Sequence, residues 1–149
     1  MLTYRQMRPE DVDAALNVRF STLENAITLQ ELEHDYGVTP QSIAEALGSI
    51  SRGWLCEDGS KVVGFSIGDG LSGEVKVVAV SPGYEGQGIG KTVLANVKSW
   101  LFALGHQEIW LLANPDPNIR ASGFYRKLGW EATGEMNGQD EILKLQREK

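Results

Sequence analysis

Apolar residues in the first third of the chain recur on a helical period. Val12, Leu16, Phe20, Leu23 and Ile27 stand 4, 4, 3 and 4 residues apart. That spacing predicts one helix opening at Pro9, with Glu10, Asp11 and Asp13 in the first turn, where carboxylates meet the positive end of the helix dipole. Thr28 followed by Glu31 fits a capping box, and Leu29, Leu32 and Tyr36 predict a short second helix ending at Gly37. Thr39-Pro40 reads as an N-cap and a first helical proline, with Ile43, Leu47 and Ile50 carrying a third stripe. After Gly53 the period falls to about two. Trp54 to Glu57, the Asp58-Gly59 turn and Lys61 to Ile67 predict a hairpin.

Gly68 to Gly73 is a second turn, and Glu74 to Val80 a strand whose Val77-Val78-Ala79-Val80 end is apolar on both faces, as a central covered strand would be. Ser81-Pro82 stops it. A glycine-rich loop then leads into a long helix carrying Ile89, Val93, Val97, Trp100, Leu101 and Leu104, capped by Gly105. Glu108 to Ala113 is a strand and Asn114-Pro115-Asp116-Pro117 a rigid loop. Asn118 to Leu128 is a helix closed by Gly129, and Trp130 to Glu135 with Asp140 to Leu145 a last hairpin about Asn137-Gly138. Three helices, three strands, a helix, a strand, a helix and two strands, without repeat or linker, predict a single mixed α/β sheet with helices packed on it, in one domain over residues 1–149.

Composition narrows the function. The chain has 149 residues and a net charge of −6. Residues 1–60 hold four bases (Arg5, Arg8, Arg19, Arg52) against ten acids, while residues 61–149 hold ten of each. An acidic chain without a Lys/Arg cluster lacks the footprint of nucleic-acid binding. Met1 to Pro9 has no apolar run of the secretory kind, and nothing reaches the roughly 20 apolar residues that span a bilayer. Cys56 is the only cysteine, and its apolar neighbours Trp54 and Leu55 point to a buried structural thiol in a reducing cytoplasm. No metal site is visible.

Pro82 to Lys91 is where chemistry concentrates. Gly86, Gly88 and Gly90 remove side chains at alternate positions between a strand and a long helix. Backbone N–H groups then converge with the helix dipole behind them, an anion site suited to phosphate or pyrophosphate; the alternative is a turn that only packs helix on strand. A Walker A loop would need glycine at Glu85, and a dinucleotide fingerprint would need it at Lys91.

The loop resembles the signature of the GNAT superfamily, the acetyl-CoA-dependent N-acetyltransferases: Arg or Gln, two residues, Gly, one residue, then Gly or Ala, here Glu85 to Gly88 and Gly90. Ala79-Val80-Ser81-Pro82 looks like that family's strand end. Asn118 to Trp130 is similar to its N-x-x-A-x-x-F-Y-x-x-x-G-[FW] segment, so the likeness spans residues 74–135. The resemblance implies a central mixed sheet with helices on both faces and transfer of acetyl from acetyl-CoA to a primary amine by direct attack. Val78, Ala79 and Val80 would hold the pantetheine arm, the Gly86, Gln87, Gly88, Ile89, Gly90 and Lys91 amides the pyrophosphate, and Asn118 the cofactor arm.

By the same resemblance, Tyr125 would protonate the departing thiolate; its other reading is a core aromatic beside Ala121 and Phe124. Glu85 departs from the pattern. A carboxylate about 8 Å from a pyrophosphate costs roughly 1 kcal/mol at an effective dielectric near 40, so Glu85→Gln is expected to tighten CoA binding several-fold. Glu74, Glu24 and His34 are candidates for the base, each with a solvated or structural alternative. Residues 1–52 would form most of the acceptor side, and the acids from Glu24 to Asp35 suggest a cationic acceptor: a small amine, a polyamine, an aminoglycoside-like compound or a peptide amine. A homodimer is compatible with this reading. Two other classes stay open, a non-catalytic CoA-binding regulatory module and, disfavoured by spacing, phosphoryl transfer.

Overall fold

Hydroxyl back-bonding ends the first helix sooner than its apolar stripe predicts. The Ser21 hydroxyl donates to the Val18 carbonyl at 2.7 Å and the Thr22 hydroxyl to that of Arg19 at 2.9 Å. Both satisfy last-turn acceptors that further turns would otherwise occupy. Helix α1 is therefore Val12–Ser21, entered through a 3-10 turn at Pro9–Asp11. The computed structural model describes residues 1–22, 27–116 and 119–148, without the side chains of Ala121 and Ser122. Leu23, Glu24 and Asn118 thus lie outside the described residues.

Helix α2 (Leu29–Tyr36) starts where Thr28 Oγ1 accepts from the Glu31 N–H and stops at left-handed Gly37. Helix α3 (Pro40–Leu47) has a complete capping box between Thr39 and Ser42 and leaves Ile50 beyond its end. The strands are β1 (Leu2–Gln6), β2 (Ser51–Asp58), β3 (Lys61–Asp69), β4 (Val75–Val80), β5 (Glu108–Ala113), β6 (Glu131–Asn137) and β7 (Asp140–Gln146), with α4 (Ile89–Ala103) before β5 and α5 (Arg120–Lys127) after it.

Strand β1 has no counterpart in the periodicity, because it is a polar edge strand made by pairing. Leu2 to Gln6 run antiparallel to Asp58 to Trp54 of β2. Arg5 fixes it from the other side: its guanidinium grips Asp11 with two bonds of 2.8 Å and Glu57 with one of 2.9 Å, while Asp11 also accepts from the Arg8 N–H. Neighbouring Arg5 holds the Asp11 carboxyl below its ordinary range.

The sheet is mixed, as expected, but it is divided. Strands β1-β2-β3-β4 form one antiparallel half and β5-β7-β6 the other. They meet through one parallel bridge, Glu74 with Trp110, where the Trp110 N–H donates to the Gly73 carbonyl at 3.2 Å. Strand β4 is thus paired with β5 only at its start, while its two faces are covered as its apolar run implies.

Helices pack on both faces. Val12, Ala15 and Leu16 of α1 with Leu47 of α3 bury Leu55, Phe65, Ile67 and Ala79. Leu94, Val97 and Leu101 of α4 cover Val75, Ile109 and Leu111 on the other side, with Tyr125 and Trp130 closing that core. Helix α4 lies so close to β3 that a Cβ on Gly64 would fall 2.5 Å from Ile89 Cγ2, and one on Gly68 2.6 Å from Val97 Cγ1. Cys56 is fully buried with Val63 and Ile89, and that burial raises its thiol pKa. Among the described residues no helix is long and apolar enough to cross a membrane.

Candidate active site

Parting of β4 from β5 opens a cleft of about 630 Å³, within the usual range for small-molecule sites. Val75 to Val80 line one wall and Leu111 to Asn114 the other. Opposite Ile67-Gly68, strand β4 carries Val75 and Val77, so Lys76 is the extra residue of a bulge. Bulges bend a strand and re-aim its groups. Here the bend lies just past the Glu74 bridge, where the two half-sheets separate. Val78, Ala79 and Val80 keep their ladder to β3 and present their other edge to the cleft.

The glycine loop closes one end. Gly86 and Gly88 have φ of 80° and 81°, a left-handed conformation that suits glycine. Gly88 is also the N-cap of α4, so the first turn of the helix, Ile89 to Lys91, opens onto the cleft. Glu85, Gly86, Gly88, Ile89, Gly90 and Lys91 all line it, whereas Gln87 stays outside the wall. The loop is anchored by Tyr84, whose hydroxyl donates to Asp58 at 2.7 Å, and that bond raises the phenol pKa. The Glu85 carboxylate folds back to accept from the Gly83 N–H at 3.0 Å. Arg120, in the first turn of α5, brings a guanidinium nitrogen to 3.9 Å from where a Gly86 Cβ would stand. Positive charge from α5 thus lies beside the loop that carries Glu85.

Tyr125 comes from α5. It is 8% exposed, in edge contact with Phe124 and Trp130 at 5.2 and 6.1 Å between ring centroids, and still part of the cleft lining. Tyr125 is thus a core aromatic that also lines the cleft. Burial pushes its pKa up to about 12, and the positive charge of Arg19 pulls the other way. Arg19, in the last turn of α1, donates to Thr22 Oγ1 at 3.0 Å and lines the same cleft. Burial lowers the Arg19 pKa, opposed by Tyr36 and Tyr125.

The base candidates separate. Glu74 lies at the bridge with its side chain 13% exposed and pairs with Lys76 at 3.2 Å. It lines a second cavity that adjoins the cleft. His34 is 90% exposed and paired with Asp35 at 3.0 Å, on the outer side of α2. Glu31, Glu33 and Asp35 are likewise exposed and line neither cavity. Glu24 and Asn118 lie outside the described residues.

Sequence reasoning missed Arg19, Lys76, Arg120 and Asn114, all of which line the cleft. Lys76 left a trace as one charge inside an apolar strand. Nothing in the local pattern marked the others, because what joins them is contact between distant elements. Among the described residues no group of three or more His, Cys, Asp or Glu side chains could hold a metal ion.

The sequence matches the family described as "Acetyltransferase (GNAT) family" over residues 18–130. Among solved structures, the chain is similar to the PaiA N-acetyltransferase of Thermoplasma acidophilum in complex with coenzyme A, with a TM-score of 0.81 at 18% identity, covering 99% of each chain. It is similar to the ribosomal-protein-S18-alanine N-acetyltransferase of Escherichia coli, with a TM-score of 0.70 at 19% identity, covering 97% of this chain and 91% of that one. YncA of Salmonella typhimurium with its cofactor acetyl-CoA gives 0.73 at 18% identity, over 100% and 95%. No curated protein matches the sequence.

Proposed function

The chain belongs to the GNAT family of acetyltransferases, and from that premise we propose that it moves the acetyl group of acetyl-CoA to a primary amine by direct attack. The observation that carries this reading is the opened β4 edge, with the α4 N-terminus and Tyr125 lining the same cleft. Bare amides on left-handed glycines fit a pyrophosphate, and an unpaired strand edge fits the amide-bearing pantetheine arm. Asn118 is proposed on the family's pattern alone.

The amine nitrogen forms a bond to the thioester carbonyl carbon, the carbon–sulfur bond breaks, and CoA leaves as its thiolate. A primary ammonium gives up two protons in all: one returns to the thiolate and one goes to solvent. The carbonyl oxygen gains charge during attack, and a β4 backbone N–H near Val78 is proposed to receive it. Glu74, beside the bulge, is the proposed proton acceptor, acting directly or through a water.

A phenol at about 12 would surrender its proton to an ordinary thiolate, near 8.5, at a cost of roughly 5 kcal/mol. Tyr125 therefore serves as a hydrogen-bond donor to the sulfur as the bond breaks. Arg19 lowers the cost of any fuller transfer. The test is thiol release from acetyl-CoA with an amine panel, wild type against Tyr125→Phe. The variant should lose about 100-fold in kcat with CoA affinity within twofold by calorimetry. Full turnover by the variant would leave Tyr125 as core alone. CoA binding without thiol release from any amine would favour the regulatory module.

A further inference from the structure

The second cavity, about 430 Å³, lies between helices α1 to α3 and the β3–β4 surface. It adjoins the cofactor cleft, since Arg19, Lys76, Val77 and Leu112 line both. An amine reaching the reacting end of the cleft from this side would keep the rest of its molecule here. Its walls are apolar: Leu16, Leu32, Ile43, Phe65 and Ile67 face it from four elements.

Among the described residues, the charged groups on its wall are Arg19, Lys76, Asp69, Glu74 and Asp140. Three acids are present, but two are engaged. Glu74 is paired with Lys76 at 3.2 Å, and Asp69 accepts from the Leu71 and Ser72 amides at 2.8 and 3.2 Å. Asp140 comes from the start of β7. Of the acids that suggested a cationic acceptor, Glu31, Glu33 and Asp35 are exposed and do not line this cavity, and Glu24 lies outside the described residues. Meanwhile the junction between the two cavities carries the positive charge of Arg19.

We propose that the acceptor is a small primary amine bearing one apolar group, aliphatic or aromatic, which lodges in this cavity, and that polyamines and aminoglycosides are poor acceptors. The inference rests on the acetyl-transfer reading above and names its substrate class. Among the described residues, a buried second ammonium would meet Arg19 and Lys76 beside carboxylates of which Glu74 and Asp69 are already engaged, and an unpaired buried charge is costly. Each methylene buried against the apolar wall instead strengthens binding roughly fourfold.

The experiment measures thiol release at saturating acetyl-CoA with isopentylamine, phenethylamine, spermidine and an aminoglycoside, using wild type and Ala46→Phe. Ala46 is a half-buried residue of α3 on the cavity wall, remote from the cofactor loop in sequence. The apolar amines should exceed spermidine at least tenfold in kcat/KM. Ala46→Phe should raise their KM about tenfold while leaving CoA affinity unchanged by calorimetry. If that variant melts early, Ala46→Val should give a smaller rise in the same direction.

Spermidine or the aminoglycoside as the best acceptor would overturn the inference and leave acetyl transfer standing. So would an unchanged KM for the apolar amines in a folded variant. CoA binding with no thiol released from any amine would overturn both.

Discussion

At the residue scale, Glu85 shows how a contact changes the meaning of a letter. In the signature it replaces Arg or Gln, and its charge alone argues for weaker CoA binding. In the fold its carboxylate accepts from the Gly83 N–H, and an Arg120 guanidinium nitrogen lies 3.9 Å from where a Gly86 Cβ would stand. Glu85→Gln is therefore expected to alter CoA affinity less than twofold, not the several-fold tightening that sequence suggests. Arg120→Ala should weaken it about fivefold at low salt, the equivalent of about 1 kcal/mol for a charge several ångströms from a phosphate. Titration calorimetry at two ionic strengths checks both, since the Arg120 effect should shrink with screening. The glycines and Tyr125 were legible because a motif specifies them. Arg120 stood in the same motif without an assigned role, and its partner Gly86 is in another element.

At the element scale, helix α4 brings its first turn, Ile89 to Lys91, to the cleft wall, and its seat on β3 decides where its N-terminus points. A Cβ at Gly64 would fall 2.5 Å from Ile89 Cγ2, one residue past the Gly88 cap. Gly64→Ala should push that first turn outward, costing about 1–3 kcal/mol of stability as overpacking does and weakening CoA binding together with it. Thermal melting with and without CoA measures the two effects. Gly64 was hidden in the sequence, where it sits in an ordinary strand run. The end of α1 was hidden too, because Ser21 and Thr22 stop the helix by hydroxyl bonds while the apolar spacing continues to Ile27. Strand β1 has no apolar alternation, and pairing with β2 makes it a strand. By contrast α2 and α3 have the N-caps that were read for them, Thr28 and Thr39.

At the scale of the whole molecule, stability should form a plateau between two pH limits. Arg5 lowers the Asp11 pKa below its ordinary 3.8. That contribution is present above 3.8 and is lost as pH falls through the folded value. Burial raises Tyr125 from 10.0 to about 12. Its contribution is whole below 10 and is lost as pH rises through 12, because the unfolded chain ionises first. Urea unfolding across pH should show both limits, and Asp11→Asn should flatten the acid one. Neither limit can be read from a net charge of −6. The division of that charge at residue 60 stands in the sequence, while the α2 acids Glu31, Glu33 and Asp35 are exposed and line neither cavity. Sequence by itself determined the order of most elements, the glycine loop, the tyrosine and the family. All of these depend on residues close together in the chain, whose spacing fixes capping, turn and helix-face relations. Only tertiary structure decided that the sheet parts between β4 and β5, that Arg19 and Arg120 meet the cleft, and that a second cavity with a largely apolar wall adjoins it. Those depend on distances between elements far apart in sequence, which packing and strand pairing set and local periodicity does not encode.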